Sequence, residues 1–344
     1  MGTGGAPVRN PAERPESDFL HSALVIDSDQ SVRQVLAPAV REALADADEV
    51  FMVVSEDTGR LVREELGAAA GPLEWADTST FYQRLGFAYE ACRGFLAAAH
   101  NAGRRIRVFA EPEVAGQSGD PGAVDRTAAY LPYEAMCNET YAGYGGEVTC
   151  VWDARRHSAM IMDNVRSVHS HEILAGGREP SPGYTRAREY LAGRDEVALP
   201  LPVRVDWSAG LMTVDGLPSL RRELRDWARQ HGFAGSAVSD VLLAVNEVAT
   251  NGVLHGQPPV EVYAWHHRDT LIVQVDDCGG TPIPAAAGYE PPVPDRDTSR
   301  GMWLARQLAD VVQTHTAGDQ TSVRLYFPRE LTHRHPERAE GILA

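Results

Sequence analysis

The sequence contains no lysine; all 32 of its basic residues are arginine. That absence excludes a phosphate-binding loop built on lysine, a Schiff-base lysine and a lysine general base. Cysteine is also scarce. Cys92, Cys137, Cys150 and Cys278 are scattered without a C-x-x-C pair, a spacing that suggests neither a zinc site nor a disulfide framework. No apolar run approaches the ~18–20 residues of a membrane span. The opening stretch MGTGGAPVRNPAERPESD lacks the apolar core of a secretory signal. A cytoplasmic protein with no membrane partner is therefore expected. Positive charge is in deficit too: the net charge is −16 at pH 7 and no basic stripe interrupts it, which argues against direct binding of nucleic acid.

What the chain does have is enough apolar material, 43% of 344 residues, for two ordinary cores. Residues 1–17, rich in Gly, Pro and charge, are expected to be disordered. From there, short apolar runs (ALVI at 23–26, VFMVV at 50–54, LEWA at 73–76, RIRVFA at 105–110, VTCVW at 148–152) alternate with helix-like stretches. This order predicts an α/β domain over 18–175 with a mostly parallel sheet. Acidic residues recur at the strand ends, where open α/β sheets place ligands. Asp27 and Asp77 serve equally well as helix N-caps; Glu111, followed by Pro112, is a poor cap and the better site candidate. Tyr133, Glu134 and Asn138 fit either a lining of the same crevice as Glu111 or plain packing of a helix that also carries Leu131, Met136 and Cys137. The breaker-rich segment 176–202 reads as the connection to a second domain, 203–329, with a tail at 330–344. The second domain is expected to be an α+β sandwich. Its helices are placed at about 217–231, 237–255 and 300–311, and its strands at 260–265, 270–276 and 321–327.

Three segments of the second domain carry chemistry. In DVLLAVNEVATNGVLHG (240–256), Glu247, Asn251 and His255 stand at i, i+4 and i+8, on one helix face and off the apolar stripe of Val241, Val245 and Val248. Asn offers a neutral oxygen to a metal that also holds phosphates, and Glu can orient or deprotonate a hydroxyl. A solvated face with a cationic helix end explains that helix equally well on its own. In IVQVDDCGGTP (272–282), an apolar strand ends in Asp277 and a glycine pair; the carboxylate can accept from an exocyclic amine and Gly279 lets backbone approach a purine. In TSRGMWLARQLAD (298–310), a turn with Gly301 opens an amphipathic helix, a ready site for phosphates.

Together these segments resemble the nucleotide site of GHKL (Bergerat-fold) ATPases, within the branch of anti-sigma-factor serine kinases. Glu247, Asn251 and His255 resemble its N box, Asp277 and Gly279 its first glycine box, and Ser299, Arg300, Gly301 and Met302 its second. Thr281 and Ser299 stand where the pattern has glycine. The resemblance implies ATP and Mg²⁺ as cofactors, with Asn251 as metal ligand, Asp277 on the adenine and Glu247 as general base. The N-terminal part resembles the MEDS sensory domain, itself similar to degenerate RecA-like (Rossmann-like) folds. That likeness rests on His21, RVFAEP at 107–112, Arg126, YEAMCNE at 133–139 and CVWD at 150–153. It implies a sensory site that includes Glu111, Arg126, Tyr133, Glu134 and Asn138. The two halves together resemble RsbA-type anti-sigma regulatory proteins, which implies as partners a sigma factor and an anti-anti-sigma STAS-domain protein, with a homodimer also compatible.

Three functions follow as expectations. The first is an ATP-dependent serine kinase that sequesters a sigma factor. The second is a nucleotide-dependent binder that has lost transfer. The third is a histidine kinase with His171, in SVHSHEILAGG, as phosphoacceptor; the glycines and prolines from Gly176 to Gly183 disfavour the helical hairpin this needs.

Overall fold

The structure is a computed structural model that describes residues 19–112, 124–194, 197–292 and 300–332. The predicted disordered stretch 1–17 lies outside the described residues.

Seven strands form the first sheet: β1 (Leu20–Ile26), β2 (Glu49–Val53), β3 (Glu74–Ala76), β4 (Ile106–Ala110), β5 (Glu147–Asp153), β6 (His171–Leu174) and β7 (Gly177–Pro180), in the order β3-β2-β4-β5-β1-β6-β7. All pairings are parallel except β6 with β7. Parallel strands buried on both faces read as apolar runs, which is why β1, β2, β4 and β5 were legible. Alternate side chains feed two cores. Leu24, Ile26, Val50 and Met52 pack under a helical run from α1 (Asp29–Ser31) through a π-type turn (Val32–Leu36) to α2 (Ala37–Asp46), and under α3 (Glu56–Leu66). Ala23, Phe51 and Val53 face the opposite core, which includes Phe81 of the short α4 (Thr78–Phe81) and residues of α5 (Leu85–Asn101), α6 (Arg126–Thr140) and α7 (Ala159–Val168). Asp77 is the N-cap of α4, its carboxylate accepting from Thr80 N at 2.9 Å.

The segment 176–202 is more than a connection. Ala175 and Gly176 turn the chain so that β7 pairs back on β6, and α8 (Ala187–Ala192) packs on α6 and α7 through buried Ala187, Tyr190 and Leu191. The breakers punctuate a hairpin. His171 therefore sits in a strand beside β1, with no helical hairpin around it, which removes the phosphoacceptor reading.

The second sheet is antiparallel throughout, in the order β11-β12-β10-β9-β8, with β8 (Trp207–Leu211), β9 (Val260–His267), β10 (Thr270–Asp277), β11 (Val311–Ala317) and β12 (Gln320–Pro328). Leu271 opposite Phe327, Val273 opposite Leu325 and Val275 opposite Val323 face α9 (Leu217–Gln230), α10 (Gly235–His255) and α11 (Arg300–Leu308). β11 is a correction: the helix expected to run to residue 311 ends at Leu308, and the β-branched run VVQTHTA pairs with β12. Residues 330–332 of the expected tail belong to α12 (Arg329–Thr332), and the rest of it lies outside the described residues. α10, 21 residues long, is apolar enough to cross a membrane, yet Val241, Ala244, Val245 and Ala249 are fully buried inside this domain.

The two sheets share a wall. Trp265, Ile272, Val311 and Tyr326, on the face of the second sheet away from its helices, join the same apolar cluster as Phe51, Phe95 and Tyr133. Arg84 donates to Asp240 (2.8 Å) and to the Thr332 carbonyl (2.9 Å). Arg126 grips Asp310 with two bonds of 2.8 and 2.9 Å and also donates to the Tyr82 carbonyl. α5 lies so close to α11 that a Cβ on Gly86 would fall 2.1 Å from the Arg306 carbonyl oxygen. Gly86→Val is therefore expected to destabilise the chain by about 1–3 kcal/mol, overriding the helix propensity gained. Denaturant unfolding of the full chain checks this; an unchanged midpoint would mean that α5 and α11 do not make this contact.

Candidate nucleotide site

α10 forms because its apolar stripe has a buried sheet to cover, and that burial turns the other face toward the end of β10. Glu247 and Asn251 are half-buried on this face, while His255 is exposed in the last turn. β10 delivers Asp277 to the C-terminal end of α10, where Oδ1 accepts the Gly279 N–H at 2.8 Å. α11 begins at Arg300, and Gly301 faces the helix opposite: a Cβ there would lie 2.8 Å from Asn251 Nδ2 and 3.3 Å from Glu247 Oε2. A side chain there would push on Asn251 and Glu247, so the glycine keeps those two side chains where they are.

Between α10, β10 and the loop 281–292 lies a cavity of about 460 Å³. Asn251, His255, Asp277 and Met302 line it, together with Thr281 and Ile283. The structure thus gathers four of the expected nucleotide-site residues around one space; Gly301 lies against Asn251, one of the four, and near Glu247. Gly279 backs Asp277, Arg300 is exposed at the head of α11, and Ser299 lies outside the described residues. Thr281 takes its place in the wall with its carbonyl bound by the Thr321 hydroxyl at 3.0 Å.

The N-terminal half also reaches this loop, which sequence reasoning missed. Arg306 of α11 donates to the Ala287 carbonyl at 2.9 Å and stacks on Tyr289 at 3.9 Å; Tyr289 meets Tyr133 of α6 edge-on at 4.9 Å. Arg188 of α8 bridges Glu139 of α6 and Glu290 of the loop, and lines the cavity as well. No local sequence signal marks Tyr133–Tyr289 or Arg188–Glu290, because their partners come from different halves of the chain.

The expected sensory crevice does not form as one site. Glu111 is buried at the end of β4, where it accepts the Ser55 N–H at 2.9 Å and sits 3.7 Å from Arg156. Arg126 is in the domain interface. Tyr133 faces the loop at Tyr289. Glu134, one position on, points the other way, into a fully buried group with His21, Cys150 and His169, and Asn138 donates to the Val168 carbonyl nearby at 2.8 Å. A helix places consecutive residues about 100° apart, and here Tyr133 and Glu134 meet different neighbours, Tyr289 and the His21 group. Burial pushes the His21 imidazole down to about 4.

Residues 20–170 match the family described as the methanogen/methylotroph DcmR sensory domain, MEDS, and residues 212–327 match the histidine kinase-like ATPase domain. The class of protein is thereby defined: a MEDS domain joined to a GHKL-type ATPase domain. No curated protein matches the chain. Among solved structures, it is similar to the RsbU and RsbW domains of a Mycobacterium tuberculosis protein at 19% identity, over 35% of this chain and 32% of that one, with a TM-score of 0.27. This chain thus spans about a third of that relative's length. It is also similar to the histidine kinase domain of a blue-light activated histidine kinase from Erythrobacter litoralis, at 12% identity over 71% of this chain and 95% of that one, with a TM-score of 0.25. Neither superposition assigns a role to a residue.

Proposed function

We propose that the C-terminal domain binds ATP with Mg²⁺ in the cavity between α10, β10 and the loop 281–292, and that the chain is an anti-sigma-factor regulator. The observation that carries this reading is the gathering of Asp277, Asn251 and Met302, from three separate elements, round one cavity, with Gly301 set against Asn251. Asp277 has its Oδ1 held by Gly279, which orients the carboxylate toward an exocyclic amine. Asn251 presents its amide oxygen to the metal, and the first turn of α11 offers backbone N–H groups to phosphate. Bound ATP would supply the γ-phosphoryl group, and Glu247, one helical turn from Asn251, would accept the proton of an attacking serine hydroxyl. In this reading the chain sequesters a sigma factor, the serine belongs to a STAS-domain antagonist, and the MEDS domain biases the site through Tyr133 and Arg188 on the loop.

The place of Thr281 in the cavity wall favours a second reading, a nucleotide-gated binder without transfer. Both readings require the same binding step. Asn251→Ala is expected to weaken Mg·ATP binding by about tenfold to a hundredfold, the range seen when metal sites lose a supporting group. Calorimetry on the full chain, with and without Mg²⁺, checks this; equal affinity in both conditions would remove Asn251 from the metal.

A further inference from the structure

Four side chains far apart in sequence meet inside the MEDS domain: His21 of β1, Glu134 of α6, Cys150 of β5 and His169 just after α7. All are buried; His21 and His169 are 0% exposed. Their ligand atoms all lie within 4.8 Å of one another. His21 Nε2 is 3.0 Å from Glu134 Oε2 and 3.4 Å from Cys150 Sγ; Cys150 Sγ is 3.2 Å and His169 Nε2 3.4 Å from the same carboxylate oxygen. A zinc ion with bonds of about 2.0–2.3 Å in tetrahedral geometry separates its donors by about 3.3–3.6 Å. The four separations above are close to that range, and none in the cluster exceeds 4.8 Å.

Hydrogen bonding points the same way. His169 Nδ1 lies 2.7 Å from the Val165 carbonyl, which can only accept, so Nδ1 carries a proton and Nε2 is the ring nitrogen turned to the cluster. Nε2 has no well-formed hydrogen bond among the described residues and stands 3.4 Å from the Glu134 carboxylate. A divalent cation between them would satisfy both buried groups at once. A carbonyl that fixes the far nitrogen of an imidazole is also how metal-binding histidines are oriented.

We propose that His21, Glu134, Cys150 and His169 form a closed zinc site in the MEDS domain. Two neutral imidazoles, one thiolate and one carboxylate carry a charge of −2, which a divalent zinc cancels, so the buried complex is neutral. On binding, Cys150 forms a sulfur–metal bond and its proton leaves to solvent. Four protein donors leave no open position, so the ion clamps structure and does not act on a substrate. It ties β1, β5, α6 and the end of α7 at one point. Glu134 adjoins Tyr133, so the clamp also fixes the helix that touches the nucleotide-site loop.

The full chain, purified without chelator, is expected to hold about one zinc per chain by elemental analysis. Exchange for cobalt should give the intense d–d bands of a tetrahedral site and a thiolate-to-cobalt absorption in the near ultraviolet. Cys150→Ser should lose the thiolate band, Cys278→Ser should keep it, and His169→Ala should lose the metal. The cobalt spectrum of the unaltered chain does not depend on any variant folding. Zinc at background level, together with a chain that shows no thiolate band after unfolding and refolding with cobalt, would overturn the proposal; so would a band lost in Cys278→Ser and retained in Cys150→Ser.

Discussion

Replacing Arg126 with alanine is expected to destabilise the folded chain by about 3–5 kcal/mol, the range found when one partner of a buried ion pair is removed. Asp310 is 2% exposed, and both of its oxygens are bound by Arg126. Without the guanidinium, a carboxylate stays buried with its principal cation gone, and the Tyr82 carbonyl loses a donor as well. Changing both partners should be much milder: Arg126→Met with Asp310→Leu removes the stranded charge along with its partner. Denaturant titration of the single and double variants measures the difference. A single variant within about 1 kcal/mol of the parent, as exposed pairs behave, would show that the two domains do not close over this pair. The same substitution bears on the nucleotide site, because Asp310 follows directly on α11, whose first turn carries Gly301.

The second large effect concerns Glu247 and separates the two functional readings. Its carboxylate lies 3.3 Å from where a Cβ on Gly301 would be, so it faces the turn where phosphates are proposed to sit. Glutamine keeps the shape and one hydrogen-bonding oxygen but is not a base. If serine transfer occurs, Glu247→Gln should slow it by about 10²–10⁴ while nucleotide affinity barely changes. The measurement is transfer of label from γ-labelled ATP to a serine of a STAS-domain antagonist. Label transferred at the parental rate by Glu247→Gln would remove the general-base role. No label with any antagonist, alongside measured ATP binding, would leave the nucleotide-gated binder.

The parts of this molecule that were legible in its sequence are those whose signal is local. β1, β2, β4 and β5 announced themselves as apolar runs because helices cover both faces. Glu247, Asn251 and His255 could be grouped because one helix carries all three, and Asp277 because it ends an apolar strand before two glycines. Where the deciding contact is distant, the reading went astray. Gly176 and Gly177 look like a linker until β1 is available to pair with β6 and so anchor the hairpin. Val311 and Val312 continue an apolar stretch, and only the presence of β12 makes them a strand. Arg126 was placed in a ligand crevice, but its partner stands 184 residues away in the other domain. The cysteine spacing suggested no zinc site, and that spacing reads only ligands close together in sequence. His21 and Glu134 are 113 residues apart, and nothing along the chain foretells that β1, β5 and α6 bring them together.

The shared wall between the two sheets has a thermodynamic consequence. Trp265, Ile272, Val311 and Tyr326 are buried only while the first domain covers them, and the first domain's core is completed by them in turn. Melting either half exposes apolar surface of the other, so the two halves are expected to unfold in one transition. A ligand of the native state, bound in either half, should then raise the stability of both.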